Sequence, residues 1–307
     1  MNDKKPMVSV GLPLYNAEEY LRVALDSLLS QTFTDFELII SDNASTDDTE
    51  KICREYMARD DRISYSRNEK NVGGSRNFNR VFDLSSGKYF RWAAHDDLVA
   101  PTYLERCVSV MEADPDVVLC HSKSAKIDVE GKVFGNYDAE MRLGSVHPHV
   151  RFGDMVNVRH FCTTIFGLMR REILAKTPLM GLYIGSDRNL LAEIALHGKV
   201  HEIPEYLFFR RDHPRASVRR IPNYRERLSW FDTSKRARLS LPYWRNLYEF
   251  LLTVTKVDLD FTERALCYLQ MLKWTRDSWK LLAVDLAQPV LSRTRWGYKY
   301  YAGGYGS

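Results

Sequence analysis

The residues best suited to do chemistry close one short run, Lys88-Tyr-Phe-Arg-Trp-Ala-Ala-His-Asp-Asp97. Two adjacent carboxylates, Asp96 and Asp97, follow a strand-like aromatic stretch, and Pro101 beyond them suits the first turn of a helix. The carboxyl end of a buried strand is where open α/β sheets bind ligands. Two hard oxygen donors there suit a divalent cation that also touches phosphate oxygens. The plainer alternative has one Asp capping the next helix and the other solvated. Two more polar clusters follow strand-like runs, Pro13-Leu-Tyr-Asn16 and Asp42-Asn43. Together the three suit a nucleotide laid across a sheet. Tyr15 can stack on a base, the Asp42 carboxylate can accept the N3–H of uracil or thymine, and Asp96/Asp97 can hold ribose and a metal-bridged diphosphate. Taken singly, Tyr15 reads equally well as core and Asp42 as a helix cap.

The elements that must position these groups can be read from periodicity. Met7–Leu12 predicts a buried strand, and Ala17–Gln31 a helix with Leu21, Ala24, Leu25, Leu28 and Leu29 on one face. Asn16 and Glu19 have the spacing of a capping box. Phe36–Ser41 is the second strand, with Ser45 or Thr46 as cap of the helix that follows. Arg62–Arg67 is an edge-like third strand, a helix opens at Ser75, and another spans about 101–113 before a strand at Val117–His121. This alternation of strand and helix implies a mainly parallel sheet. The second half predicts a hairpin at Glu130-Gly131 and a buried strand over His160–Met169. A helix Arg188–His197, ended by Gly198, precedes strands Val200–Pro204 and Tyr206–Arg210. Beyond Pro222 the chain reads as helical up to the Gly-rich 303–306.

The 307 residues are 45% apolar and 27% charged, as in soluble globular proteins. No stretch approaches the run of about 18 apolar residues that a membrane span needs. The polar start Met1-Asn-Asp-Lys-Lys-Pro6 leads straight into a strand, so no signal peptide is expected. Five cysteines without Cys-x-x-Cys spacing read as reduced thiols of a cytoplasmic protein. Net charge is +4 but uneven: residues 204–307 hold 19 Lys+Arg against 10 Asp+Glu, and the first 203 hold 25 against 30. The basic end points either to an anionic partner or to a solvated basic face. A dehydrogenase would place Gly-x-Gly-x-x-Gly after the first strand, and a sugar-nucleotide pyrophosphorylase a Gly-rich basic loop. Pro13-Leu-Tyr-Asn16 is neither.

Several of these runs, in the same order, resemble the family 2 glycosyltransferases. They are Val8-Ser-Val-Gly-Leu-Pro-Leu-Tyr-Asn16, Ser30-Gln-Thr-Phe33, Phe36-Glu-Leu-Ile-Ile-Ser-Asp-Asn-Ala-Ser-Thr-Asp47, Asn71-Val-Gly-Gly-Ser-Arg-Asn77 and Gly87 through Asp97. The resemblance covers residues 6–120 strongly and 121–215 more loosely. It implies the GT-A fold, a Rossmann-like α/β domain with a mainly parallel sheet flanked by helices, placed at 1–221. A helical, basic and aromatic extension would occupy 222–307. The resemblance also implies inverting transfer of a sugar from a UDP- or dTDP-sugar, with Mg²⁺ or Mn²⁺, to a glycan or lipid-linked acceptor of a cell-surface polysaccharide.

Carried over residue by residue, Pro13, Tyr15 and Asp42 meet the base, Asn71 and Arg76 the uridine and diphosphate, and Asp96 the ribose or diphosphate. Asp97 ligates the metal. Where relatives often show Asp-x-Asp-Asp, this chain has Ala94-His95-Asp96-Asp97, so the first carboxylate is missing. In Gly185-Ser-Asp-Arg-Asn-Leu-Leu191, Asp187 matches the general base, although a helix N-terminus favours its ionised, less basic form. In Arg210-Arg-Asp-His-Pro-Arg-Ala-Ser217, His213 matches a further metal ligand and Arg210 or Arg211 a group facing the leaving diphosphate. His121, His147, His149, His160, His197 and His201 show no metal-ligand spacing and read as structural or acceptor-side. Trp, Tyr, Arg and Lys in 243–250 and 296–301 suit either packing on the catalytic domain or a peripheral membrane contact. No nucleic-acid partner is expected. The missing carboxylate leaves a second reading, an inactive nucleotide- or glycan-binding protein of the same fold.

Overall fold

The computed structural model describes residues 5–214, 231, 233 and 241–291. Its centre is one nine-stranded sheet. The first half runs β1 (Val8–Leu14), α1 (Leu21–Leu29), β2 (Phe36–Asp42), α2 (Thr49–Met57), β3 (Ile63–Arg67), α3 (Gly74–Asp83), β4 (Tyr89–Trp92), β5 (Leu98–Val99) and α4 (Tyr103–Ala113). Then come β6 (Val117–Ile127), β7 (Val133–Tyr137), α5 (Pro148–Asn157), β8 (Leu168–Arg170), α6 (Arg171–Leu174), α7 (Ser186–His197) and β9 (Lys199–Arg211). Three helices end the described chain: α8 (Pro242–Lys256), α9 (Phe261–Asp277) and α10 (Trp279–Leu291). Strand order is β3-β2-β1-β4-β8-β6-β9-β5, with β7 paired to β6. The four strands β3, β2, β1 and β4 are mutually parallel. Antiparallel β8 separates them from β6 and β9.

Strand side chains alternate between two apolar layers. Leu38 and Ile40 join one layer and Ile39 the other, and Tyr89 and Phe90 divide in the same way. The first layer packs α1, α2 and α4. The second packs α3, α5 and α7 and also takes Phe250, Met271 and Trp274 from α8 and α9. The described C-terminal helices are thus a second shell over α5 and α7. The boundary expected between residues 221 and 222 lies outside the described residues, as do the 215–217 segment, the 296–301 aromatics and the Gly-rich end.

Pro13 stands inside a central strand, where its missing N–H ordinarily breaks a ladder. Gly11 O accepts from Ala93 N–H on the β4 side, and β1–β4 pairing stops there. Two residues on, Pro13 faces that same side beyond the ladder's end. Pro204 is accommodated similarly. Pairing jumps from Ser122↔Ile203 to Lys123↔Tyr206, so residues 204–205 form a bulge. The two last strands expected from the sequence are therefore one strand, β9.

Four local expectations need correction. Asn16 does not cap α1, which starts after Tyr20 without a side-chain cap. Asn16 instead adopts φ +50° and accepts from Thr46 N–H. Neither Ser45 nor Thr46 caps α2, because the Ser45 hydroxyl is spent on Asp42. The run 160–169 is a 3₁₀ turn at Thr163–Phe166 followed by the short β8, since Cys162 is left-handed (φ +54°). Finally, β4 stops at Trp92, and the two-residue β5 intervenes before α4 begins at Tyr103, past Pro101.

Candidate active site

The parallel registers decide which loops meet. Leu14 pairs with Asp42, Asp42 with Arg67, and Gly11 with Trp92, so the segments following β1, β2, β3 and β4 leave one end of the sheet. Asp42 is fully buried. Its Oδ1 accepts from Ser45 N–H (2.8 Å) and Ser45 Oγ (2.6 Å). Its Oδ2 accepts from Tyr65 OH (2.9 Å) and Arg67 Nη1 (2.6 Å). Four donors occupy the carboxylate's four lone-pair directions. A base N3–H can reach Asp42 only by displacing one of them. The expected base contact is therefore replaced by an anchoring role.

The loops around Asp42 are held by small polar side chains. Asn16 N–H donates to Ser45 Oγ and Ala17 N–H to Thr49 Oγ1, which fastens the loop after β1 to the loop after β2. Asn43 donates to Asn71 Oδ1 and accepts from Asn68 Nδ2 and Val72 N–H. Asn77 donates to Ser41 O and accepts from Ser41 Oγ. Asn71 is thus committed to the loop network. Pro13 is buried within β1, whereas Tyr15, just past the end of that strand, is 42% exposed. Arg76 lies exposed in the first turn of α3, with Nη1 donating to Val72 O.

Asp96 and Asp97 sit after β4 and are held by the far end of β9. Arg211 N–H donates to Asp97 Oδ1 (2.9 Å), Arg211 Nε to Asp96 O (3.0 Å), and Arg211 Nη1 to the carbonyls of Asp128 and Val129. Arg211 is buried and braces the carboxylate loop against the β6–β7 hairpin. This corrects its expected place beside a diphosphate. Arg210 differs: its Nη1 meets Tyr137 OH (3.0 Å), and its guanidinium lies against the rings of Tyr137 and Phe161. His213 Nε2 is 3.0 Å from Asp96 Oδ2, and its ring packs edge-on against Tyr20.

Electrostatics set the two acids apart. Burial pushes Asp97 up, and the Asp96 charge pushes it further, to about 8 despite Arg211 N–H and the charges of Arg210 and Arg211. Burial also acts against ionised Asp96, but the His95 charge and the His213 hydrogen bond outweigh it and bring that carboxyl to about 2. His95 therefore does electrostatic work next to the position where Ala94 lacks a carboxylate. Two adjacent acids, Asp97 buried and Asp96 half-buried, with His213 Nδ1 buried and without a hydrogen-bond partner among the described residues, fit a divalent cation. Asp96, Asp97 and His213 do not converge as three ligand atoms within 4.8 Å. A cation at Asp97 and His213 would thus draw further ligands from phosphate oxygens, the usual habit of Mg²⁺.

Asp187 lies half-buried in the first turn of α7, its Oδ1 accepting from Arg188 N–H. Gly185 precedes it at φ +86°, with Asn246 of α8 so near that a Cβ would lie 2.7 Å from Nδ2. Arg188 donates to the carbonyls of Val158 and His160, fixing the segment that carries Phe161 and Cys162. Burial and then the Asp187 charge push the Cys162 thiol up to about 12, with Arg188 and Arg210 opposing. Asp187 and Arg210 therefore both lie within electrostatic reach of Cys162. Sequence reasoning missed Tyr65, Arg67 and Asn68. Arg67 had one available signal: it ends β3 just as Asp42 ends β2.

A family model for glycosyl transferase family 2 matches residues 9–177. An uncharacterized glycosyltransferase of Methanocaldococcus jannaschii is 34% identical over 138 residues, covering 44% of this chain and 48% of that protein. The chain thus spans about half the length of this relative. S. aureus TarS 1–349 in complex with UDP superposes with TM-score 0.61 at 17% identity, over 95% of this chain and 74% of that one. A mannosyltransferase of Pyrobaculum calidifontis in complex with GDP-Man and Mn²⁺ superposes with TM-score 0.54 at 15% identity, over 98% and 86%. The expected GT-A architecture, α/β with C-terminal helices, agrees with these folds.

Proposed function

The chain belongs to glycosyl transferase family 2, and from that premise we propose that it transfers a sugar, with inversion, from a UDP- or dTDP-sugar to a hydroxyl of a glycan or lipid-linked acceptor. The observation that carries this reading is the Asp96–Asp97 pair beyond the carboxyl end of β4, where burial and the Asp96 charge push the Asp97 carboxyl up. Tyr15 offers its exposed ring to the base. Asp42, through Arg67 and Ser45, keeps the base-side loop in shape. Asp97 and His213 would hold Mg²⁺ or Mn²⁺, which supplies positive charge to the leaving diphosphate. Mn²⁺ and a nucleotide sugar in the Pyrobaculum neighbour, and UDP in TarS, support a cation and a nucleotide donor.

Asp187 takes the acceptor proton in this reading. Its carboxylate is half-exposed, held by one backbone N–H, and within electrostatic reach of Cys162, next in sequence to Phe161, whose ring lies 4.4 Å from that of Tyr137. Aromatic faces of this kind suit the apolar face of a sugar acceptor. Arg210, between these rings and Asp97, faces the charge of the leaving diphosphate.

Residues 1–221 form the catalytic domain in this reading and 222–307 an extension, of which the described helices pack on the α5–α7 side. Phe261, Leu272, Trp279 and Leu286 of the extension are exposed, which favours a peripheral membrane contact. No helix among the described residues is long and apolar enough to cross a membrane.

The test is calorimetry with UDP, dTDP and GDP, each with and without Mn²⁺, followed by transfer assays of Asp187→Asn. Metal-dependent UDP or dTDP binding is expected. Asp187→Asn should bind the donor normally yet transfer at least ~10²-fold more slowly. Near-normal transfer by that variant removes Asp187 as the base. Nucleotide binding without any release of sugar favours the inactive binding protein that Ala94 raises.

A further inference from the structure

Away from the cleft, the starts of α5 and α9 bring together His147, His149 and Glu263. His147 Nδ1 lies 3.2 Å from Glu263 Oε1, and His149 Nδ1 2.8 Å from Oε2. All three donor atoms fall within 4.8 Å of one another, a grouping not repeated among the described residues. In the sequence His147 and His149 show no metal-ligand spacing, because the third group of the cluster lies far along the chain. That group is 114 residues further on from His149.

We propose that His147, His149 and Glu263 bind a borderline divalent cation, Zn²⁺ foremost, which fastens α9 to α5. Two imidazoles and one carboxylate suit Zn²⁺, whereas Mg²⁺ and Ca²⁺ prefer all-oxygen sets such as Asp97 with phosphate. With metal–ligand bonds of about 2.0–2.2 Å, neighbouring ligands of a tetrahedral ion lie roughly 3.3 Å apart. The N···O separations, one to each carboxylate oxygen, already approach this, so a small outward shift of each ring, with one Glu263 oxygen turned to the ion, admits it. Imidazole binds a metal ion only in its neutral form, so affinity rises with pH. His147 is 61% exposed and Glu263 13%, which gives the ion an entry side and leaves a fourth position for water.

The backbone holds this geometry before any ion arrives. Pro148 fixes the chain between the two histidines at the start of α5. Asp260 Oδ1 accepts from Glu263 N–H (2.8 Å), so Glu263 starts α9 in a set position. One turn along, Gly153 lies so close to Gln270 that a Cβ there would meet its side chain at 2.6 Å. The helices therefore approach closely just beyond the three ligands.

The experiment titrates metal-free, nucleotide-free protein with Zn²⁺ by calorimetry and follows thermal unfolding with Zn²⁺ and then EDTA. The expected result is one equivalent of Zn²⁺ present in Asp97→Ala as in the wild type, a Tm several degrees higher, and reversal by EDTA. His149→Ala should lose that equivalent, and His147→Ala and Glu263→Gln should bind at least ~10-fold more weakly. His147 is largely exposed, so its variant folds normally without metal and keeps the test open if His149→Ala unfolds. An unchanged isotherm in His147→Ala, or no Tm response to Zn²⁺, overturns the site and leaves an ion-paired helix clamp.

Discussion

Replacing Asp97 by Asn should make the metal-free protein more stable while disabling it. Asp97 is buried beside Asp96, and its carboxyl rises from an ordinary 3.8 to about 8. In the unfolded chain it ionises near 4. Between pH 4 and 8 the folded state therefore binds more protons than the unfolded one, and stability falls as pH rises through that window. A displacement of this size amounts to a penalty of about 5–6 kcal/mol by pH 8. Relaxation and water entry leave roughly 2 kcal/mol of it. Asn keeps an oxygen for Arg211 N–H and carries no charge, so it escapes this penalty. Asp96, lowered to about 2, contributes stability that is lost only below pH 4 and stays out of the window. Urea unfolding with EDTA at pH 5, 6.5 and 8 would show the wild type losing midpoint and Asp97→Asn nearly level. The variant should lead by roughly 2 kcal/mol at pH 8 and lose Mn²⁺-dependent UDP binding. A variant less stable than wild type at pH 8 would refute the reasoning, because Asp97 would then be a stabilising partner of Arg211.

Two further substitutions probe the framework behind the site. Gly185→Ala adds a Cβ at φ +86° and within 2.7 Å of Asn246; about 2–4 kcal/mol of lost stability and slower transfer with unchanged UDP affinity are expected, checked by urea unfolding and kcat. Arg67→Met leaves buried Asp42 without its cationic partner. The expected cost is about 1–3 kcal/mol, with UDP binding weakened several-fold, and equal stability with equal affinity would dismiss the anchoring role.

The donor side was legible because it is sequence-local. Each strand between residues 8 and 92 ends in a short polar run, and parallel pairing brings those runs together without long-range information. What those groups touch was hidden. Asp42 read as a ready acceptor because Tyr65 and Arg67, which supply two of its four donors, lie on a neighbouring strand whose register no motif announces. Arg211 read as a phosphate ligand because a charge beside a cleft looks free, yet the hairpin carbonyls at 128–129 claim it. The 160–169 run was apolar enough for a strand, but left-handed Cys162 breaks it. Arg91 escaped altogether: a guanidinium only 1% exposed and stacked on Tyr103 lies inside a strand that reads as aromatic core. The cluster at His147 was invisible for the same reason as Arg67, a partner distant along the chain.

The pairing of β5 with β9 has a consequence for the chain as it is made. Leu98 and Val99 pair with Phe209 and Phe208, and Arg211 N–H is the donor that fixes Asp97 Oδ1. On the ribosome the strands that face the donor emerge first, and N-terminal regions generally begin to fold before synthesis ends. Asp96 and Asp97 then stand on a loop whose brace is still more than a hundred residues from being translated. A nascent chain halted short of Arg211 therefore holds nearly all the donor-facing sequence and none of the clasp. Vectorial synthesis thus delays the fixing of Asp96 and Asp97 until β9 has docked.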